Sequence, residues 1–305
     1  MLLETEILGG VPESLAFTSS ITDDVLEAAC HEVGLEADGA SLLRFGENAI
    51  YGLEQQPVVV RIARSAAKMP RAGRELCVAR GLAAADIPAA RVYEDVGQPL
   101  LVNGFPVTFW ELLDGVGPRP QPKDLADVLR LFHDLDGIEC ELPSFRPLAD
   151  VEPRVETSAP AEDRAFLRAR CRELEKRFQE IEFALPKGPI HGDAHTGNLM
   201  CDHGAVCLLD FEMVGYGPRE WDLIPTAIGH ERFGMPEAGY GAFVDSYGFD
   251  VREWPGYGVL RDIRELTMTT WLMQNIGESP QIAEEYQLRV TSLREKDLSR
   301  AWRAF

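Results

Sequence analysis

The sequence has no C-x-x-C pair, no internal repeat, no low-complexity tract, and no apolar run near the ~20 residues of a membrane span. Each absence removes a class of protein. Without paired spacing, Cys30, Cys77, Cys140, Cys171, Cys201 and Cys207 read as reduced, mostly buried thiols, not as a disulfide framework. Met1-Leu2-Leu3-Glu4-Thr5-Glu6 lacks the basic start and apolar core of a secretory signal, so the expected location is the cytoplasm. Positive charge is also scarce, with 30 Lys and Arg against 50 Asp and Glu and a net charge of -20. Such a surface repels phosphate backbones and anionic headgroups, so neither nucleic acid nor membrane is an expected partner. It would attract a cationic small molecule, although acidity can also serve solubility alone. Oligomeric state is not legible.

What remains is ordinary soluble composition, 45% hydrophobic and 26% charged, over 305 residues. That length suits one large domain or two modest ones. A helix is expected over residues 21–33 with Thr22 as N-cap. Three short strands follow around residues 42–46, 49–53 and 57–63, and an Ala-rich helix covers 71–85. Asn103-Gly104, between Leu100-Leu101-Val102 and Phe105–Phe109, predicts a hairpin because both turn residues tolerate positive φ. Gly117-Pro118-Arg119-Pro120-Gln121-Pro122 then breaks the pattern. Beyond it, apolar residues recur at helical spacing over 123–136, 161–182, 219–230, 259–275 and 280–303. A strand-rich part followed by a helical part is an α+β pattern, with one lobe over residues 1–110 and another over 111–305.

The chemistry concentrates in His191-Gly192-Asp193-Ala194-His195-Thr196-Gly197-Asn198, followed by a predicted hairpin whose second strand ends at Asp210-Phe211-Glu212. Four residues separate Asp193 from Asn198, as in the H-R-D-x-x-x-x-N loop of protein kinases. Phosphoryl transfer needs a carboxylate to orient the acceptor hydroxyl and take its proton, and oxygen ligands for magnesium. Asp193 suits the first task; Asn198 and Asp210 suit the second. Two other readings use the same residues: an Asp- and Asn-rich turn that caps backbone groups, or a zinc site. The zinc site would combine His191, Asp193, His195 and Asp210 with His133, His203 or His230. It leaves Asn198 unexplained.

His191-Gly192-Asp193-x-x-x-x-Asn198 and Leu209-Asp210-Phe211-Glu212 resemble the signature of the aminoglycoside phosphotransferase family, across roughly residues 40 to 275. That resemblance implies a bilobal protein-kinase-like fold, with an N-terminal antiparallel sheet lobe that binds ATP (or GTP) and a mainly helical lobe that binds the acceptor. It implies Asp193 as catalytic base, and Asn198 and Asp210 as Mg2+ ligands. Gly46-Glu47-Asn48 resembles the nucleotide loop, so Gly46 and Asn48 are candidate cofactor contacts. Arg61 stands where the family's phosphate-binding lysine stands, and Glu75 would be its ion-pair partner. Phe109-Trp110-Glu111-Leu112 resembles the hinge, which makes Phe109 and Glu111 candidates for adenine. Asp222 is expected to hydrogen-bond the catalytic loop's backbone. Two residues depart from protein-kinase usage: arginine replaces lysine at 61, and Asp-Phe-Glu replaces Asp-Phe-Gly.

The acceptor is a small hydroxylated molecule. The acidic balance, with 35 acidic and 22 basic residues from Glu111 onward, points to an aminoglycoside or related antibiotic. Another amino alcohol, sugar or amino acid remains open, as does a silent nucleotide-binding pseudokinase. Trp221, Glu231, Asp262, Glu265 and Trp271 are candidate walls of the acceptor site.

Overall fold

Val58, Val60 and Ile62 alternate with Val59 and Arg61, and this period of two gives the segment one face for a core. The computed structural model describes residues 17–305 and divides into two units, residues 17–80 with 90–113 and residues 81–89 with 114–305. The expectation at Met1–Glu6 lies outside the described residues. Among those described, no helix is long and apolar enough to cross a membrane.

In the first unit, helix α1 (Ser19–Val33) precedes strands β1 (Ser41–Phe45), β2 (Asn48–Gly52) and β3 (Val58–Ala63). Helix α2 (Met69–Ala84) and strands β4 (Leu100–Val102) and β5 (Phe105–Glu111) follow. The strands form one antiparallel sheet in the order β1-β2-β3-β5-β4. One face packs Ala49, Tyr51, Val58, Val60, Ile62, Val107 and Phe109 against Val25, Leu26 and Ala29 of α1. A fully buried side chain of this kind contributes about 1.5–3 kcal/mol by removal from water. On the other face Arg61 lies opposite Ile50 of β2 and Thr108 of β5. Asn103 and Gly104 take φ of 52° and 84°, as the hairpin turn requires.

The start of α1 differs from expectation. Thr18, not Thr22, is the N-cap, and its hydroxyl accepts from the Ile21 N–H at 3.4 Å. Thr22 is buried one turn inside, where its hydroxyl donates to the Ser19 carbonyl and lies 2.6 Å from the Tyr51 hydroxyl. Either threonine could cap by type, and packing against Tyr51 draws Thr22 inward.

The second unit contains α3 (Pro122–His133), α4 (Val151–Ser158), α5 (Ala161–Gln179), β6 (Lys187–Ile190), β7 (Leu199–Asp202), β8 (Ala205–Leu208) and β9 (Gly215–Pro218). It continues with α6 (Ile224–Arg232), α7 (Glu237–Tyr247), α8 (Tyr257–Met273) and α9 (Pro280–Glu295). β7 and β8 form a hairpin, and β6 pairs antiparallel with β9. These two small ladders position the loops between them. Ile190 pairs with Gly215 and Leu199 with Leu208, so segments 191–198 and 209–214 are each fixed at both ends. Neither β6 nor β9 was legible, because Lys-Gly-Pro-Ile and Gly-Tyr-Gly-Pro lack alternation and carry strand-weakening residues.

Several helices are shorter than their periodicity suggested. Residues 219–223 form a 3-10 turn before α6, and the helix expected over 280–303 ends at Glu295, with Lys296 at φ 53°. The tail returns so that the Trp302 N–H donates to the Arg232 carbonyl at 2.7 Å. Arg232 lies over the Trp302 ring with Cζ 4.6 Å from its centroid, and its Nε meets Glu265 Oε1 at 2.5 Å. Glu265 is therefore a buried partner of Arg232 and not an acceptor-site wall. α8 packs against α4, α5, α6 and α9, so positions beyond its Leu260–Ile263–Leu266 stripe are covered as well.

Ser279 caps α9 by accepting from the Ile282 N–H at 3.3 Å, and Pro280 suits the first helical position. Ser279→Ala should cost about 1 kcal/mol, read as a lower denaturant midpoint at unchanged m-value. No change in midpoint would show that the cap contributes nothing.

Candidate active site

The loop after β6 is held from below by Asp222, which sits fully buried in the 3-10 turn Arg219–Leu223. Its carboxylate accepts the N–H of His191 at 2.6 Å and of Gly192 at 2.8 Å, as expected. The same carboxylate lies 3.0 Å from His133 Nε2, and His133 Nδ1 lies 2.8 Å from the Tyr247 hydroxyl. Trp221, also buried, donates its indole N–H to the Gly192 carbonyl at 2.8 Å. Gly192 has φ 85°, and a Cβ there would come within 2.3 Å of the Met213 carbonyl oxygen. Only glycine fits this turn.

His191 joins the two loops. Its Nε2 donates to the Leu209 carbonyl at 2.8 Å, and its Nδ1 accepts from the Asp193 N–H at 3.3 Å. With both ring nitrogens engaged, His191 has no lone pair for a metal, which removes the zinc reading. His133 is engaged at both nitrogens as described, and His230 meets the Met235 carbonyl and Glu237. His203 lies beside Asp114 and Asp202 at the turn end of the β7–β8 hairpin.

Asp193 projects from this braced loop with about a third of its side chain exposed. Arg264 of α8 donates from Nη2 to its Oδ1, and His195 Nε2 lies 3.6 Å from its Oδ2. Burial alone would raise the Asp193 pKa. The Arg264 guanidinium and then His195 outweigh it, and hold the carboxyl well below the usual carboxylate range. Asp193 is therefore an ionised hydrogen-bond acceptor at neutral pH. Sequence reasoning missed Arg264, because nothing in a helical stripe shows which loop it will meet.

Asn198 is buried in the 3-10 turn just before β7, and its amide nitrogen donates to the Asp193 carbonyl at 2.9 Å. Its amide oxygen is thereby left as the acceptor of the side chain. The Leu209 N–H donates to the Asn198 carbonyl at 2.9 Å, which ties the residue before Asp210 to this position. Asp210 is exposed and adopts φ 61°, ψ 78°, a left-handed conformation uncommon outside glycine. Asn198 and Asp210 offer only oxygen donors, a set suited to a hard cation such as Mg2+.

In the first unit Arg61 pairs with Glu75 of α2, and the Asn48 amide oxygen accepts from Arg61 Nε at 3.1 Å and Nη2 at 2.8 Å. Three expected cofactor contacts thus meet in one cluster. Gly46 contributes differently from expectation. Its N–H donates to the Asn48 carbonyl at 3.0 Å, and its carbonyl accepts from Arg64 at 2.8 Å. Phe109 needs correction. Its side chain lies in the core against α1, its N–H donates to Gln98 Oε1 at 2.7 Å, and its carbonyl accepts from Tyr93 at 3.1 Å. Strand alternation instead puts Thr108 and Trp110 on the face of Arg61. Glu111 ends β5 exposed, and its N–H donates to the Arg91 carbonyl at 2.9 Å.

The proposed acceptor walls also change. Asp262 accepts from Arg170 at 2.7 Å and from Arg261 at 2.9 Å, so it is an ion-pair hub. Trp254 is buried and stacks on Phe183 at 5.9 Å between centroids. Trp271 is exposed.

Comparison with known proteins bears on the family and the fold. The phosphotransferase enzyme family, APH, matches residues 47–263. No curated protein matches the chain in sequence. The structure of amicoumacin kinase hAmiN, in complex with AMP-PNP, Ca2+ and Ami, is similar with a TM-score of 0.72 at 13% identity. The match covers 93% of this chain and 97% of that one. The microcompartment-associated aminopropanol kinase has a TM-score of 0.65 at 18% identity, covering 90% and 95%. Aminoglycoside phosphotransferase APH(3'')-Id from Streptomyces rimosus has 0.61 at 18% identity, covering 81% and 98%. The shared fold is the α+β, protein-kinase-like one, with an antiparallel sheet followed by a mainly helical part. The family match spans more than two thirds of the described residues, and the protein belongs to the phosphotransferase enzyme family as a kinase-like small-molecule phosphotransferase.

Proposed function

We propose that the protein transfers the γ-phosphoryl group of ATP (or GTP) to a hydroxyl of a small molecule, with Mg2+. The observation that supports this reading is that His191, Asn198 and the two strand ladders tie the loop of Asp193 to the loop that carries Asp210. Asp193 would accept a hydrogen bond from the acceptor hydroxyl and take its proton. The acceptor oxygen then bonds to phosphorus as the bond to the nucleoside diphosphate breaks. Asn198 and Asp210 would hold Mg2+, which when bound offsets charge on the phosphates. Arg61, oriented by Glu75 and Asn48, would meet the nucleotide's phosphates, since its planar fork matches their geometry. In this reading residues 1–110 bind nucleotide, and residues 111–305 carry catalysis and the acceptor.

For the acceptor, an aminoglycoside or related antibiotic is supported by the net charge of -20 and by the presence of an amicoumacin kinase and an aminoglycoside phosphotransferase among the similar structures. An antibiotic-resistance role in the cytoplasm would follow from that acceptor. A second reading, another hydroxylated metabolite, is favoured by one observation: the group paired with Asp193 is a cation, Arg264.

Asn198→Ala and Asp210→Ala should each weaken Mg2+-dependent nucleotide binding by at least the roughly 10–100-fold that follows loss of a metal's outer-shell partner. Calorimetric titration of ATP with and without Mg2+ measures this. Unchanged affinity in both variants, or one tightly bound zinc per chain by elemental analysis, would overturn the metal assignment.

A further inference from the structure

We infer that Arg264 is a specificity-determining residue of the acceptor site, favouring acceptors that carry a carboxylate or phosphate group near the reactive hydroxyl. The inference rests on the reading of Asp193 as the residue that receives that hydroxyl.

Tyr257, Arg261 and Arg264 share one stripe of α8, at spacings of four and three. Arg264 stands at the end of this stripe that meets the catalytic loop. Nη2 pairs with Asp193 Oδ1, and the guanidinium carbon lies 5.8 Å from the centroid of the buried Trp221 ring. The side chain is therefore held on both sides, by a carboxylate and by an aromatic face. Its Nε is buried, and no acceptor among the described residues reaches it. The side chain as a whole is 17% exposed, and its Nη2 borders the candidate base, where guanidinium N–H groups can donate to an anion.

A guanidinium stands against the candidate base although the chain is acidic overall. Around the Asp193 carboxylate stand Arg264 and His195, whereas the chain carries -20 overall. Arg261 adds a second guanidinium one turn back, bonded to Asp262. A polycation is drawn by the distant field, but an ammonium group beside its reacting hydroxyl would meet a guanidinium at contact distance. Screening weakens the distant field within about 8 Å at physiological ionic strength, and leaves the contact repulsion nearly intact. An acceptor with an oxyanion beside its hydroxyl faces the reverse: Arg264 receives the anion while Asp193 receives the hydroxyl.

The test is binding to protein loaded with Mg2+ and AMP-PNP, followed by ligand-observed NMR. The probes are glycerate (carboxylate), glycerol 3-phosphate (phosphate), glycerol (neutral) and choline (cation). At least one anion is expected to bind about tenfold or more tightly than both glycerol and choline. Arg264→Gln should reduce that preference to within about twofold, and Arg264→Lys should retain part of it. Which anion wins separates carboxylate from phosphate recognition. Glycerol or choline binding as well as every anion would overturn the inference. So would a preference unchanged in Arg264→Gln, since a merely structural pair would lower affinity for all probes alike. If Arg264→Gln fails to fold, the wild-type preference and the lysine variant still decide. Binding of AMP-PNP and of GMP-PNP to wild type is measured in the same series. Absence of binding by both AMP-PNP and GMP-PNP would remove the kinase reading itself, whereas nucleotide binding without any anion preference removes only the role given to Arg264.

Discussion

Asp193→Asn is expected to lower kcat by roughly 10²–10⁴-fold, the usual contribution of a positioned general base, while leaving nucleotide affinity nearly unchanged. The substitution keeps the side chain's volume and one oxygen near Arg264, so the braced loop should keep its shape. What it removes is the negative charge that accepts the hydroxyl's proton. That charge is maintained by Arg264, which holds the wild-type carboxyl ionised against the cost of its burial. Steady-state kinetics with any accepted substrate, combined with calorimetric titration of Mg·ATP, reads both quantities. Turnover within about tenfold of wild type would remove Asp193 from the role of base.

Asp222→Ala is expected to have the largest effect on stability. The carboxylate is fully buried and serves the His191 N–H, the Gly192 N–H and His133. Deleting it strands two backbone donors with no water at hand, at about 1–3 kcal/mol each. A loss of about 2–6 kcal/mol is a large part of a total near 5–15 kcal/mol. Activity should fall with it, because the turn at Gly192, with φ 85° and the Met213 carbonyl where a Cβ would be, is held in place by these bonds. Asp222→Asn places an N–H₂ against a backbone donor and should give a similar but smaller loss. Denaturant unfolding measures the first effect, and kcat at a temperature where the variant is folded measures the second. A destabilisation under about 1 kcal/mol would show that the loop is held by other means.

The helical stripe Leu260–Ile263–Leu266–Thr270 was readable in order but not in depth. The spacing predicts which side of α8 meets a core. It does not show that α4, α5, α6 and α9 would cover the rest, so Glu265 became a buried partner of Arg232. Phe109 shows the same limit within a strand. Alternation tells that Phe109 and Trp110 point to opposite faces, and only the docking of α1 decided which face would be the core.

Local patterns in the sequence determined what depends on near neighbours. Asn103-Gly104 turns a hairpin because both residues tolerate positive φ, and β3 reads as a strand because its apolar residues alternate. The Asp193–Asn198 spacing survives any packing, because a short loop fixes it: the Asn198 amide bonds the Asp193 carbonyl directly. Tertiary structure decided contacts across long separations, and of these the Asp222 contact was expected only through the family resemblance. Asp222 reaches His191 across 31 residues, and Arg264 reaches Asp193 across 71. No residue spacing encodes such meetings, since they depend on how the β6–β9 ladder, the 3-10 turn and α8 pack together. The candidate carboxylate was therefore legible in the chain, and the arginine that faces it was not.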